Sequence, residues 1–253
     1  MSLYHSDNTP KSQSFSGVLT VEKARGETLK VLLERVRTEN HITHEVPITY
    51  AGRLDPMAEG VVMLLVGEKR FEKESYLAQD KTYRFTILFG ITTDSLDVLG
   101  LAGIPYQALP IDGEAIARYI TSITSLAYPL YSSRPVDGKP LFAYARAGTM
   151  PSNIPTKDVH IYSCQCQGME TVPLSILVPG IIEDIKKVSG DFRQEEIIAM
   201  WQTYLNDPTP VTLATFEAVV SSGAYIRSLA EAAGKYCAVP ALAYRIVRTQ
   251  IGR

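Results

Sequence analysis

The stretch Thr49-Tyr50-Ala51-Gly52-Arg53-Leu54-Asp55-Pro56-Met57-Ala58-Glu59-Gly60 runs directly into Val61-Val62-Met63-Leu64-Leu65-Val66, and the two together set the expectations for the whole chain. The first part places an arginine, a leucine and an aspartate on a tight loop between Pro47 and Pro56. The second is an apolar run bounded by Gly60 and Gly67. It is too short to span a membrane and reads as a buried strand or a short buried helix. Asp55 therefore stands at the mouth of a rigid core element. Its carboxylate has two readings: Asp before Pro is a common turn residue that caps a loop, and a carboxylate held at such a place can be a nucleophile.

Working outward, the bulk properties bound what the chain can be. It has 253 residues, 45% hydrophobic and 21% charged, enough for one large domain or two small ones of ordinary globular composition. No apolar stretch approaches the ~20 residues of a membrane-spanning helix. Residues 1–16 are polar and lack the apolar core of a signal peptide, so the expected location is cytoplasmic, with no membrane partner. Cys164, Cys166 and Cys237 cannot form a fully paired disulfide set. Cys164 and Cys166 read as one face of a strand, and no metal site is expected. A net charge of -2 argues against a broad, sequence-blind binder of polyanions, while leaving room for a small basic groove.

Residues 1–14 read as a disordered leader. The segment from Phe15 to Lys23 alternates as a first strand, and Gly26-Glu27-Thr28 turns into a helix with Leu29, Leu32, Leu33 and Val36 on one face and Thr28 as its cap. In Lys81-Thr82-Tyr83-Arg84-Phe85-Thr86-Ile87-Leu88-Phe89, the alternation of Tyr83, Phe85, Ile87 and Phe89 marks a half-buried strand. A polar loop follows, Thr92-Thr93-Asp94-Ser95-Leu96-Asp97. Ile116, Ile120 and Ile123 have helical spacing after Asp112 or Gly113. Two helices are expected within 181–205, interrupted by Gly190-Asp191, with charges of mixed sign on their outer faces. A strand over Thr215 to Ser222 turns into a helix whose buried face is Ile226, Leu229, Ala230 and Ala233.

Several of these segments resemble one family in order. Gly52-Arg53-Leu54-Asp55-Pro56, with Gly60 and the apolar run ending in Gly67-Glu68, is similar to motif II of the pseudouridine synthases, most closely the TruB branch of tRNA pseudouridine-55 synthases. Lys23-Ala24-Arg25-Gly26 resembles the Lys-Pro-x-Gly opening, with the proline missing. Lys81-Thr82-Tyr83 and the Thr92–Gly100 loop resemble the Lys-x-Tyr strand and Thr-Asp-x-x-Asp-x-x-Gly loop. Tyr128 to Arg134 and Gly138 to Gly148 resemble the segment that grips an RNA stem-loop, with Phe142 in place of a tyrosine. Gly223-Ala224-Tyr225-Ile226-Arg227 resembles Gly-x-Tyr-Ile-Arg, and Leu242 to Gly252 the family's closing strand. The likeness runs from residue 17 to 252 and omits mainly 168–212.

That resemblance implies an α+β fold, a mixed, largely antiparallel sheet flanked by helices with a central catalytic cleft. It implies a catalytic domain over 15–253, an RNA-gripping insertion at about 124–153, an extra helical insertion at about 168–212, and no C-terminal PUA domain. The reaction implied is isomerisation of uridine, U55 in the T-loop of tRNA, to pseudouridine, without a cofactor and by a monomer bound to the T-stem-loop. Asp55, Tyr83 and Arg227 are the implied catalytic residues, Arg227 pairing Asp55 and able to make two hydrogen bonds to it. Tyr50, Tyr225, Ile246, Lys23 and Arg53 are the implied substrate-binding residues, and Tyr50 stands where a histidine is usual in this branch. The alternatives are a ribosomal-RNA pseudouridine synthase, since Gly-Arg-Leu-Asp is usual there, a non-catalytic RNA chaperone with a structural Asp55, and a glycosyl hydrolase. The last needs two placed carboxylates, and no second one is tied to Asp55 by motif.

Overall fold

The computed structural model describes residues 16–107 and 110–252. The leader expected over 1–14 lies outside the described residues. Strand β1 (Gly17–Lys23) leads into helix α1 (Leu29–Glu39), where the Thr28 hydroxyl accepts from the Val31 N–H and Leu32 and Val36 are buried. Strand β2 (Ile48–Tyr50) and the quoted loop precede β3 (Ala58–Val66), so the apolar run is a strand. A 3-10 turn and the short helix α2 (Lys73–Leu77) lead to β4 (Lys81–Phe89). Then come α3 (Gly113–Thr121), β5 (Ser125–Ala127), β6 (Pro135–Val136), β7 (Lys139–Pro140), α4 (Leu141–Arg146) and β8 (Thr156–Asp158). The long strand β9 (Ile161–Pro173), helices α5 (Leu174–Lys186) and α6 (Gln194–Gln202), β10 (Pro210–Val220), α7 (Ile226–Tyr236) and β11 (Ala241–Ile251) complete the chain.

The strands form a seven-stranded sheet in the order β1-β3-β11-β4-β10-β9, with β2 also on β3. The pairings are antiparallel except between β3 and β11, which run in parallel over Ala58–Gly60 and Ile246–Arg248. Period-2 alternation divides the side chains between two cores. Tyr83, Phe85, Ile87 and Phe89 of β4 join Ala214, Phe216 and Ala218 of β10 beneath α1, α3 and α7, with Phe85 stacked on Phe216 at 5.7 Å. Leu88, Val211, Leu213 and Leu242 point the other way and pack under α5 and α6 with Trp201.

Helix α5 starts seven residues before Ile181 and contains Pro179. A proline inside a helix costs about 3 kcal/mol. Six buried side chains on this helix (Leu174, Leu177, Val178, Ile181, Ile182 and Ile185) contribute about 1.5–3 kcal/mol each for those as large as Val or Leu, which outweighs it. Tertiary burial therefore overrides a local helix breaker.

At Gly60, β3 and β11 approach closely. Its φ is +104°, and an added Cβ would overlap the backbone of Arg248. Gly60→Ala is expected to destabilise the fold by more than about 2 kcal/mol, read as a lowered urea midpoint. A midpoint equal to that of the unsubstituted protein would mean that this approach tolerates a side chain.

Candidate active site

The loop that carries Asp55 is held by two buried cations, Lys23 from behind and Arg248 beside the cavity. Lys23, at the end of β1, is 1% exposed, and its ammonium donates to the carbonyls of Ala24 (3.0 Å), Pro56 (3.1 Å) and Ala58 (2.5 Å). Arg248 on β11, also 1% exposed, donates to the carbonyls of Val61 (2.7 Å), Gly52 (3.2 Å) and Arg53 (3.4 Å). Backbone carbonyls that would otherwise be buried without donors are thereby satisfied. Asp55 is carried on the side that faces the cavity.

Across that cavity, Arg227 on the first turn of α7 donates through Nε to Asp55 Oδ2 at 2.7 Å. The two-bond fork expected between them is not formed. Nη1 goes to the Ser95 carbonyl (2.8 Å) and Nη2 to that of Tyr131 (3.1 Å), so a single bond links guanidinium and carboxylate. A second carboxylate completes the cluster. Asp97 lies 3.8 Å from Arg227 Nε and is itself fixed by the Ser95 hydroxyl (2.7 Å) and the Leu99 N–H (2.9 Å). Burial pushes the Asp97 carboxyl up, against the pull of Arg227. Asp55 keeps a third of its side chain exposed, whereas Arg227 is almost wholly buried. The guanidinium is thus a fixed brace, and Asp55 is the group within reach of a ligand.

The cavity has a volume of about 650 Å³ and is lined by Arg53, Asp55, Tyr83, Tyr225, Arg227 and Ile246 among others. This falls within the usual size of small-ligand sites. Tyr83 sits on β4 with its ring in the first core and 7% exposed. Tyr225 packs edge-on against Tyr128 at 5.4 Å; burial first, then Asp55, raises its phenol above the usual range. Arg53 turns away from Asp55, bonding the Ser133 hydroxyl at 2.5 Å and lying 5.6 Å from the Tyr50 ring. The Ser132 hydroxyl is buried in the wall and, among the described residues, has no partner. Such a group costs about 1–3 kcal/mol, recoverable by a polar atom entering the cavity.

Two of the expected substrate-binding residues stand elsewhere. Lys23 lies behind the loop, and its three ammonium hydrogens are taken by carbonyls, so none is left for a substrate. Tyr50 is half-buried outside the cavity lining, between Arg53 and Lys73. Conversely, Asp97, Arg248 and three residues of the α5–α6 loop (Asp191, Phe192 and Arg193) belong to the site without having been singled out for it. Arg248 shares strand parity with the inward-facing Ile246, which was the available signal. For the α5–α6 loop, the sequence contained none.

Burial also lowers Lys23 and Lys81 to about 8 from 10.5. Between those values the unfolded chain holds more protons on the two lysines than the folded chain does, so stability rises with pH. Urea midpoints are expected to increase from about pH 8 to 9, before the Cys164 thiol, which burial raises from 9.0 to about 12, begins to oppose the two lysines. A midpoint that falls over this window would mean that both lysines stay charged in the fold.

Residues 40–178 match the model of the TruB family pseudouridylate synthase N-terminal domain. The chain is 33% identical over 165 residues to tRNA pseudouridine synthase B of Aromatoleum aromaticum, covering 64% of this chain and 52% of that one. It is 28% identical over 248 residues to the enzyme of the same name from Bordetella avium, covering 96% and 83%. Against the synthases of Aromatoleum aromaticum and Psychrobacter arcticus, it spans 52% and 60% of the relative's length. Among solved structures, a Cbf5-Nop10-Gar1 complex superposes with a TM-score of 0.53 at 14% identity, over 93% of this chain and 49% of that one. That likeness concerns the fold, and it agrees with the largely antiparallel sheet flanked by helices. With more than half of its residues matched by the family model and the fold in agreement, the chain belongs to the TruB family of pseudouridylate synthases.

Proposed function

We propose that the protein isomerises uridine to pseudouridine in tRNA, with U55 of the T-loop as the target and Asp55 as the essential carboxylate. The observation that carries this reading is the Asp55–Arg227 contact at 2.7 Å on the wall of a nucleotide-sized cavity, in a member of this family. The reaction breaks N1–C1′, turns the base and forms C5–C1′, with no net oxidation. A carboxylate serves it by attacking the sugar or base, or by taking the C2′ proton. Arg227 keeps Asp55 aimed through its Nε–H. Tyr83 stacks on the base, and Tyr225 and Ile246 shape the space around it. Stacking recovers about 1–3 kcal/mol of what extruding the base costs. Arg53 at the rim suits a phosphate of the RNA backbone.

The relatives' name, tRNA pseudouridine synthase B, supports tRNA as the substrate. The test is tritium release from C5-labelled uridine in unmodified tRNA, followed by mapping of the modified position. Release that maps to the T-loop supports the proposal. Release from ribosomal RNA alone would move the substrate, and tight RNA binding without release from either would favour the chaperone alternative.

A further inference from the structure

We propose that the loop joining α5 and α6, through Arg193, is a positioning device that holds residues 128–149 over the catalytic cavity before RNA binds; this rests on the uridine-isomerising reading of the cavity. The helical pair is anchored at its base. Trp201 donates to the Val98 carbonyl (3.1 Å), Tyr204 to that of Gly103 (3.0 Å), and Arg25 pairs with Asp184 at 2.5 Å. The first two bonds fix it to the loop that also carries Asp94 and Asp97, and the third fixes it to the turn between β1 and α1. From that base the connection reaches forward to the cavity wall, where Asp191, Phe192 and Arg193 line the space with Asp55 and Arg227.

The tip is itself a built turn. Gln194 donates to the carbonyls of Val188 (2.9 Å) and Gly190 (2.6 Å) and accepts from the Phe192 N–H (2.8 Å). Arg193 sits in left-handed backbone at φ 62°, a conformation that a residue of this size adopts only when its surroundings impose it. From there its guanidinium donates to Asp94 Oδ2 at 2.9 Å and lies 4.6 Å from the centre of the Tyr131 ring. The Tyr131 hydroxyl donates to the same Asp94 oxygen at 3.0 Å. Tyr131 is thus held at its ring and its hydroxyl, while its carbonyl receives Arg227 Nη2. A second tie lies farther along the same segment. Arg146 of α4 donates to the Asp191 carbonyl (2.6 Å) and carboxylate (3.2 Å).

Both ends of residues 131–146 are therefore fastened to one loop that is not part of that segment. A segment fastened in its binding arrangement spares the RNA the cost of ordering it, so the expected signature lies in apparent affinity and not in the chemical step. Asn tolerates left-handed backbone, which makes Arg193→Asn the variant that removes the side-chain contacts without straining the turn. Hydrogen exchange over residues 131–149 of the free variant is expected to speed up about tenfold. The KM for RNA is expected to rise about tenfold, with kcat within about twofold. Arg193→Lys keeps the charge on Asp94 but not the flat stacking, and should recover part of the KM. Arg146→Met, which removes both bonds to Asp191, should loosen the α4 end alone. Unchanged exchange in both Arg193→Asn and Arg146→Met overturns the proposal, as does a fall in kcat at constant KM. If wild type releases no tritium from any RNA, the functional reading fails, while the exchange comparison still decides the docking.

Discussion

Asp55→Asn is expected to lower uridine isomerisation by at least about a thousandfold, the scale on which an enzyme loses a nucleophile or proton-transfer group. The substitution is nearly isosteric. An Asn carbonyl oxygen can still accept from Arg227 Nε, and the loop's own carbonyls stay bonded to Lys23 and Arg248. The fold should therefore survive, with RNA affinity within about threefold of wild type. What disappears is the negative charge, and with it both attack on the nucleotide and proton abstraction. Tritium release measured beside RNA binding separates the two effects. A variant that keeps a tenth of the wild-type rate would remove Asp55 from the chemistry and leave it the loop-capping role that its place before Pro56 also allows.

Arg227→Met should act on stability as well as on activity. It leaves Asp97 buried without its cation and strips a donor from the carbonyls of Ser95 and Tyr131. Removing one partner from a buried ion pair typically costs about 3–5 kcal/mol. The pH dependence of that loss is distinctive. Asp97 is already raised by burial, with Arg227 the strongest opposing influence. Without Arg227 the folded-state pKa climbs further above its unfolded value, so the folded form binds more protons and loses stability as pH rises through that interval. The deficit against wild type should therefore be smaller near pH 5 than near pH 8. A deficit constant across that range would mean that Asp97 is neutral in the wild-type protein. Arg227→Lys, which keeps the charge but cannot reach Asp55, Ser95 and Tyr131 together, should fall between the two.

Much of this architecture is legible in the chain because its signals are local. Thr28 and Asp112 cap their helices, and the alternation in β4 assigns four side chains to one core. The 61–66 run is a strand, paired by β1 along its length and by β2 over Leu64, Leu65 and Val66. The Asp55–Arg227 pairing followed from family resemblance alone, since the two are 172 residues apart and no periodicity connects them. What stayed hidden has a common physical cause. Lys23 reads by resemblance as a substrate-binding residue, and nothing local corrects that because its partners are backbone carbonyls, which every sequence contains and none advertises. The α5–α6 pair looked like a solvated hairpin because Arg193 meets Asp94 across 99 residues. Only the sheet, by placing both helices on one face, brings those groups together.

The parallel pairing of β11 with β3 also bears on how the molecule comes into being. The loop around Asp55 emerges early in synthesis, yet Arg248, which holds its carbonyls, lies 187 residues beyond Val61. Closing contacts of such long sequence separation is slow relative to local folding. The Asp55 loop is therefore among the last parts to acquire its final shape, although it is among the first to be made. A nascent chain can build α1, the β1–β3 ladder and the turn at Gly26 well before β11 exists. The cavity wall is complete only once that strand slots between β3 and β4, because Ile246 and Arg248 both belong to it.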